Sequence, residues 1–443
     1  MKYCKILSAT LLTLAVSTTI YAKDCCKHDD GKRDWNFIAY MQADNKLVPY
    51  SSYNIKEMQK VGSTMDVNIL VQWDKPTSTQ TNRYLIKRNK MVLKDTVQKA
   101  MGKKPASELK KLIKWAHKKF KAERYAFILW NHGNGVLDRS SEKIINPEWL
   151  SSDNNNQEED THDNDNEKRG ILYDYAANTF LDNAGLSKVC KYVKKNLKNK
   201  IDILGMDANL MAMIEIAYQI QGTACFLVAS QQTESGHGWP YKNVLQGIAD
   251  DPKMCPADFA TAIVQAYSEF YSSGVNADSG FTLSAIDIKK VKAAVIAFDS
   301  VLQALILSQS VNKTATNNAI KIARSKTLSF YHVDYIDLID WYDNLTEGFT
   351  ILIDSVKNKS CSDVCGPDRT SIIYAAKATL AAVAAAKSAA QDAIMATEAG
   401  LDYNGRAHGL SLYYPRSLKI DKSYKKTEFA KKTFWLKFLK TLK

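Results

Sequence analysis

Apolar residues fall into two rhythms along this chain, and the alternation between them sets the expected architecture. Runs with almost no polar interruption at 35–43, 67–73, 125–130, 203–206, 224–230 and 281–286 read as strands buried on both faces. Between them, apolar residues recur at helical spacing at 53–61, 186–197, 210–220 and 256–271. Pro105 opens a further helix whose apolar stripe is Leu109, Leu112, Ile113 and Ala116. The stretch 83–86 is short and edge-like, and 170–175 is a brief return to regular structure. Beyond Tyr241 the pattern is mostly helical, with 256–271 followed, past the strand at 281–286, by 289–307, 314–326, 335–356 and an Ala-rich stretch, 369–399. A last strand, 408–414, stops at Pro415, and the basic, aromatic tail 429–442 is expected to dock on its own domain. Buried strands alternating with helices imply an α/β fold with a mostly parallel sheet covered on both faces.

The rest of the chain is organised around DILGMDANLMA, residues 202–212. An apolar run stops at Asp207 and turns into a helical pattern, so the turn is expected at the carboxyl edge of the sheet, beside a helix N-terminus that favours negative charge. The residue at its tip is Asn209, which is not an ordinary nucleophile but serves as a helix cap. The strand ending at Trp130 runs out into NHGNG, where His132 stands in a good position for a general base and the glycines let backbone N–H groups face a ligand. A histidine satisfied within a tight turn is the plainer reading of His132. The strand ending at Ser230 likewise runs into a Gly-rich loop with His237 and Trp239. Three strand ends could therefore converge at one edge.

At 443 residues the chain fits one large α/β unit with an appended subdomain. Residues 1–22 read as a secretory signal, with Lys2 and Lys5 before an apolar stretch and Tyr21-Ala22 as the cleavage point, followed by a polar leader, 23–33. Secretion or a periplasmic location follows from that reading, and no later stretch is read as a transmembrane segment. The formal charge of +13 is spread over lysine-rich helical stretches at 103–121, 188–200 and 419–443, which read as solvated helix faces and not as a nucleic-acid surface. Of the eight cysteines, Cys361 and Cys365 are close enough to pair, while Cys190 and Cys225 lie in apolar contexts that suggest buried thiols. None has zinc-ligand spacing, so no metal set and no cofactor is assigned. Residues 137–169 carry the acidic, aperiodic run SSDNNNQEEDTHDNDNEK and read as a mobile surface insertion. Its carboxylates could hold calcium, although no EF-hand pattern is present and a solvated loop is the plainer reading. It ends at Lys168-Arg169, an exposed basic pair of the kind that processing enzymes cut.

Six blocks together resemble the clostripain family of cysteine peptidases, within the caspase-like group. They are YMQADNKL from Tyr40, VNILVQWD from Val67, RYAFILWNHGNG from Arg124, ILGMDANLMAMIEIA from Ile203, ASQQTESGHGWPY from Ala229 and AHGLSLYYP from Ala407. The resemblance implies a caspase-like α/β/α sandwich, with a peptidase core over 34–288 and a largely helical C-terminal subdomain over 289–443 that completes the family region near 415. It makes His132 the general base and puts the backbone N–H of Gly133 in the oxyanion hole. It sets Asp207 in a primary pocket for arginine or lysine, although Asp207 could equally be a plain helix N-cap. The family's nucleophilic cysteine falls at Asn209, so the expected protein is a monomeric pseudopeptidase that binds basic peptide segments. The alternative is an active arginine- or lysine-specific peptidase that matures by cutting near Lys168-Arg169. Self-cleavage driven by Asn209 has no supporting residue.

Overall fold

The computed structural model of the protein describes residues 32–76, 80–98, 104–138, 170–174, 177–197, 201–358 and 367–443. Its strands are β1 (Arg33–Gln42), β2 (Val67–Asp74), β3 (Gln80–Lys87), β4 (Lys90–Gln98), β5 (Ala122–Trp130), β6 (Ile171–Asp174), β7 (Thr179–Leu181), β8 (Ile201–Asp207), β9 (Ala224–Ala229), β10 (Thr282–Asp287), β11 (Tyr335–Asp337), β12 (Ile394–Ala399) and β13 (Ser411–Tyr413). Its helices are α1 (Val48–Val61), α2 (Pro105–Lys119), α3 (Asn183–Asn196), α4 (Ile214–Gln219), α5 (Tyr241–Asp250), α6 (Pro256–Tyr271), α7 (Ile288–Val311), α8 (Lys313–Lys326), α9 (Leu338–Asn358), α10 (Pro367–Ala393), α11 (Glu428–Lys432) and α12 (Trp435–Thr441).

Nine strands form one sheet in the order β12-β10-β9-β8-β5-β1-β2-β3-β4. The central strands β9, β8, β5, β1 and β2 are mutually parallel, and two antiparallel strands extend each side. Period-2 geometry sends alternate side chains of one strand to opposite faces. In β5, Tyr125, Phe127 and Leu129 enter one buried cluster while Ala126, Ile128 and Trp130 enter the other. Helices α1, α5 and α6 cover the second cluster; α2, α3, α4 and α7 to α10 cover the first. This is why the strands read as unbroken apolar runs: neither face meets water. The C-terminal helices share their buried cluster with α2 to α4. The tail docks as expected, with Phe429, Trp435, Phe438 and Leu439 buried and the Trp435 indole N–H donating to the Tyr413 carbonyl at 3.0 Å.

Several sequence expectations need correction. The stretch 83–86 belongs to a longer strand, β3, which is interior; the edge is β4, which was missed. Helix α5 lies in the stretch past Tyr241 read as mostly helical, but it was not singled out as an element. The Ala-rich stretch stops being helical at Ala393, and its last six residues form β12 on the opposite edge, paired antiparallel with β10. Residues 288–311 and 369–393 are long and apolar enough, by length and composition, to cross a membrane, which the sequence reading had not found. Both lie against the protein core: Val291, Val295, Phe298, Val301, Leu302 and Leu305 of α7 and Ile372, Ala376, Val383, Ala386 and Ala390 of α10 are buried in one cluster. Cys190 is buried as expected, whereas Cys225 is only half-buried on β9. Cys361, Cys365, most of the acidic insertion and Lys168-Arg169 lie outside the described residues.

Candidate active site

Parallel pairing of β5 with β8 brings two sequence-distant turns together. The register aligns Trp130 with Asp207, and the Asn131 N–H donates to the Asp207 carbonyl at 3.2 Å. His132 and Asn209 each stand two residues past that aligned pair, so they leave the same edge of the sheet side by side. Gly133 closes the approach: a Cβ there would lie 2.4 Å from the Asn209 carbonyl oxygen and 3.0 Å from its nitrogen, so only glycine lets the two backbones pack.

The His132 turn is braced on both sides. The Asn131 carboxamide nitrogen donates to the carbonyls of Gln42 and Tyr173, and its oxygen accepts from the Tyr173 N–H at 3.0 Å. The Tyr335 hydroxyl donates to the Asn134 carbonyl at 2.7 Å and accepts from the Leu137 N–H at 3.2 Å. The Leu172 N–H donates to the His132 carbonyl at 3.3 Å, so the chain resumes after the insertion against this turn.

The segment after Asp207 corrects the expected strand-to-helix elbow. Leu210 has φ +66, in the left-handed region, and α4 begins only at Ile214 with Met213 before it. The Leu210 and Ala212 N–H groups donate to the carbonyls of Gln232 and Ser230, at 3.0 and 2.8 Å. Those bonds extend the sheet ladder instead of starting a helix. Asn209 and Asp207 are therefore not caps of α4, which starts five residues past Asn209. Instead the Asn209 Oδ1 accepts a 2.8 Å bond from the Glu234 N–H, which ties the β9 loop to the tip of the turn.

Under that loop lies a buried acid pocket. The Asp207 Oδ2 accepts from the Tyr241 hydroxyl at 2.6 Å and from the Trp239 N–H at 3.3 Å. Gly238, with φ +61, covers it, since a Cβ there would stand 2.7 and 2.8 Å from the two carboxylate oxygens. The Glu234 carboxyl, whose buried oxygens have no hydrogen-bond partner, lies near enough to that of Asp207 for the two to couple electrostatically. Burial raises the pKa of Asp207; burial and then the Asp207 charge raise that of Glu234 well above the usual carboxylate range. Among the described residues the donors to Asp207 are Tyr241 and Trp239, neither of them a cation, with the Glu234 carboxyl close by. Sequence reasoning passed over Glu234 and Tyr241, although both stand in the Gly-rich block that follows β9.

His237 is packed against α1. Its ring packs edge-on to Tyr50 and Tyr53, with centroids 5.7 and 5.1 Å away, and its carbonyl accepts from the Asn54 carboxamide at 2.7 Å. The loop 230–234 is held from behind by Gln231, which donates to Asp337 at 3.0 Å and accepts from the Gly409 N–H at 2.7 Å. Asp337 also meets His408 Nδ1 at 3.0 Å, and this bond raises the histidine's pKa. The strand ends of β5, β8 and β9 thus do converge, with the block around His408 as their support.

Known proteins resemble this chain in sequence and in fold. The sequence profile described as the Clostripain family matches residues 39–162 and 158–441. Clostripain of Hathewaya histolytica is 23% identical over 268 residues, a match covering 54% of this chain and 44% of that protein, so under half of the relative's length is spanned. Among solved structures, a secreted cysteine protease of Bacteroides thetaiotaomicron bound to an irreversible peptide inhibitor superposes with TM-score 0.58 at 16% identity, covering 93% of this chain and 99% of that one. An inactive zymogen protease of Parabacteroides distasonis gives TM-score 0.58 at 16% identity, covering 90% and 98%. At such identity the structural likeness speaks for the fold alone, and the profile match, which spans most of the sequence, speaks for descent. The chain belongs to the clostripain family of cysteine peptidases.

Proposed function

We propose that this protein seats a basic side chain of a peptide in the pocket of Asp207 and Glu234 and does not cut the peptide, because Asn209 stands where the family has its nucleophilic cysteine. One observation carries the reading: two buried carboxyls lie close together near Asn209, Asp207 with a tyrosine and a backbone donor and Glu234 with no hydrogen-bond partner, and no cation is among their partners in the described residues. A guanidinium or ammonium entering there gains charge-assisted hydrogen bonds at low dielectric. His132 is the general base of the site and the Gly133 N–H its oxyanion donor in this reading, but a carboxamide offers them nothing to activate. Acyl transfer needs a group that deprotonates near neutral pH, and loss of the nucleophile removes several powers of ten in rate. The apolar stretch at 6–20 supports export; in this reading the protein is a monomer, and any cut near Lys168-Arg169 is made by another protease.

The test compares the purified protein with Asn209→Cys on arginyl and lysyl fluorogenic peptides, with a gel for cleavage near Arg169. Cutting by the variant and not by the parent supports the proposal. Cutting by the parent, abolished in His132→Ala, sinks it in favour of an active arginine or lysine peptidase. If neither protein cuts and neither binds arginyl peptides, the pocket reading also fails.

A further inference from the structure

Three lysine-rich stretches that lie far apart in sequence share one layer of the fold. Helices α2 and α3 pack side by side over the sheet: the Lys110 ammonium of α2 lies 6.0 Å from the centre of the Tyr192 ring of α3, and a Cβ on Gly185 of α3 would stand 3.5 Å from Ala106 of α2. The tail borders α3 as well. The Ser423 hydroxyl accepts from the Asp138 N–H at 3.0 Å, and the Asp138 Oδ1 accepts from the Asn183 N–H at the start of α3, also at 3.0 Å. The Glu428 carboxyl of α11 is lowered in pKa first by its bond to Lys432 and further by nearby charges, Lys191 of α3 among them.

The charge of this layer is one-sided. Helices α2 and α3 carry nine lysines and a single carboxylate, Glu108. Residues 419–432 add six lysines and two carboxylates. On the opposite face of the sheet α1, α5 and α6 carry three lysines and four carboxylates. Read singly, each basic stretch is a solvated helix face; gathered into one layer, their charges add. Lys111, Lys114 and Lys118 of α2 and Lys188, Lys191 and Lys195 of α3 are all exposed.

The side chains say what kind of anion fits. These stretches hold no arginine, so nothing in them offers the planar fork that grips one phosphate at a time. No large apolar side chain of theirs is exposed among the described residues, so the layer has neither a stacking platform for bases nor a wedge for insertion. What it presents is a broad array of flexible point charges on two neighbouring helices and the tail. A linear polyanion meets one row of such an array, whereas a plane of laterally mobile headgroups meets all of it. We propose that α2, α3 and residues 423–432 form a docking surface for an anionic lipid bilayer, bound through lysine charge with no apolar insertion. The turns of His132 and Asn209 stand at the carboxyl edge of the sheet and not on this face, so the docked protein keeps its site accessible. The proposal is independent of whether the pocket beside Asn209 binds or cuts peptides.

The experiment follows co-sedimentation of the purified protein with lipid vesicles. Expected is binding to phosphatidylcholine vesicles containing about 30% phosphatidylglycerol at about 0.1 M salt, weaker by roughly tenfold or more at about 0.5 M, and no binding to phosphatidylcholine alone. Lys111→Gln with Lys114→Gln and Lys118→Gln should weaken the lipid affinity by roughly tenfold or more. Lys56→Gln with Lys60→Gln and Lys242→Gln removes the same charge from the opposite face and should change the affinity by less than about threefold. All six side chains are exposed, so both variants should melt within about 2 °C of the parent. Should the α2 variant fail to fold, Lys188→Gln with Lys191→Gln and Lys195→Gln takes its place. Equal binding to neutral vesicles, equal losses in the variants of the two faces, or tighter binding to duplex DNA or heparin than to the charged vesicles at the same salt overturns the proposal.

Discussion

The N–H of Glu234 donates to the side-chain oxygen of Asn209 at 2.8 Å, so the residue at the tip of the β8 turn also fixes the loop that lines the acid pocket. Asn209→Ala removes that acceptor and leaves a backbone donor without its partner. It is expected to cost about 1 kcal/mol in chemical denaturation. Asn209→Asp keeps an acceptor at the same place and should recover most of the loss, an order that a residue merely filling space would not produce.

The cover of Asp207 predicts a sterically defined failure. Gly238→Ala places a methyl group within 2.8 Å of both carboxylate oxygens on a backbone with φ +61. Destabilisation of roughly 1–3 kcal/mol is expected. Weakened binding of an arginine-like probe such as agmatine should accompany it. Ser235→Ala, on the same loop, is the control and should leave agmatine binding within about twofold of the parent.

Ionisation of the pocket sets the pH dependence of cation binding. Burial, and for Glu234 the neighbouring carboxylate, raise both pKa values, so at low pH the pair is protonated and offers a guanidinium no charge. Agmatine affinity should therefore rise with pH through that raised range and then level off. Asp207→Asn should flatten the profile and weaken binding at every pH. An affinity that falls as pH rises would contradict this account.

Glu215 makes an opposite contribution to stability. Fully buried in α4, it accepts from the Tyr413 N–H at 2.9 Å and the Tyr424 hydroxyl at 3.1 Å, and burial raises its pKa to about 7. The folded state thus holds the proton more tightly than the unfolded chain does. Stability is greatest below the unfolded value and falls as pH rises from there through about 7. Glu215→Gln should remove that loss, which amounts to at most roughly 3 kcal/mol. Denaturant midpoints at pH 5 and pH 8 should differ less in the variant than in the parent.

What the sequence revealed depended on how far each element is covered. β1, β2, β5 and β8 were legible because burial on both faces forces unbroken apolar runs. β4 was not: at the open edge Met91 and Leu93 are 36% and 55% exposed, so no burial pattern marks it. β12 follows an Ala-rich helix with no glycine or proline between, and only pairing with β10 makes those residues a strand. The helix expected from Leu210 failed because the Leu210 and Ala212 N–H groups pair with the next loop, a tertiary bond that helical spacing cannot announce. His132, Asp207 and Asn209 were singled out in the sequence because each stands at or just past a strand end. The lysine-rich stretches were read one by one, because only the packing of α2, α3 and the tail gathers residues so far apart in sequence.

The placement of the insertion between β5 and β8 has one more consequence. Everything before it supplies β1 to β5, everything after it supplies β6 to β13, and the seam between the two halves runs through the middle of the sheet. There β5 and β8 are joined from Ala126–Ile203 to Trp130–Asp207, with both faces buried. That ladder leads to the prediction that the fold holds without covalent continuity between its two halves. A chain nicked in the insertion should run as two bands under denaturing conditions and as one particle in native size exclusion, each half acting as the other's missing sheet.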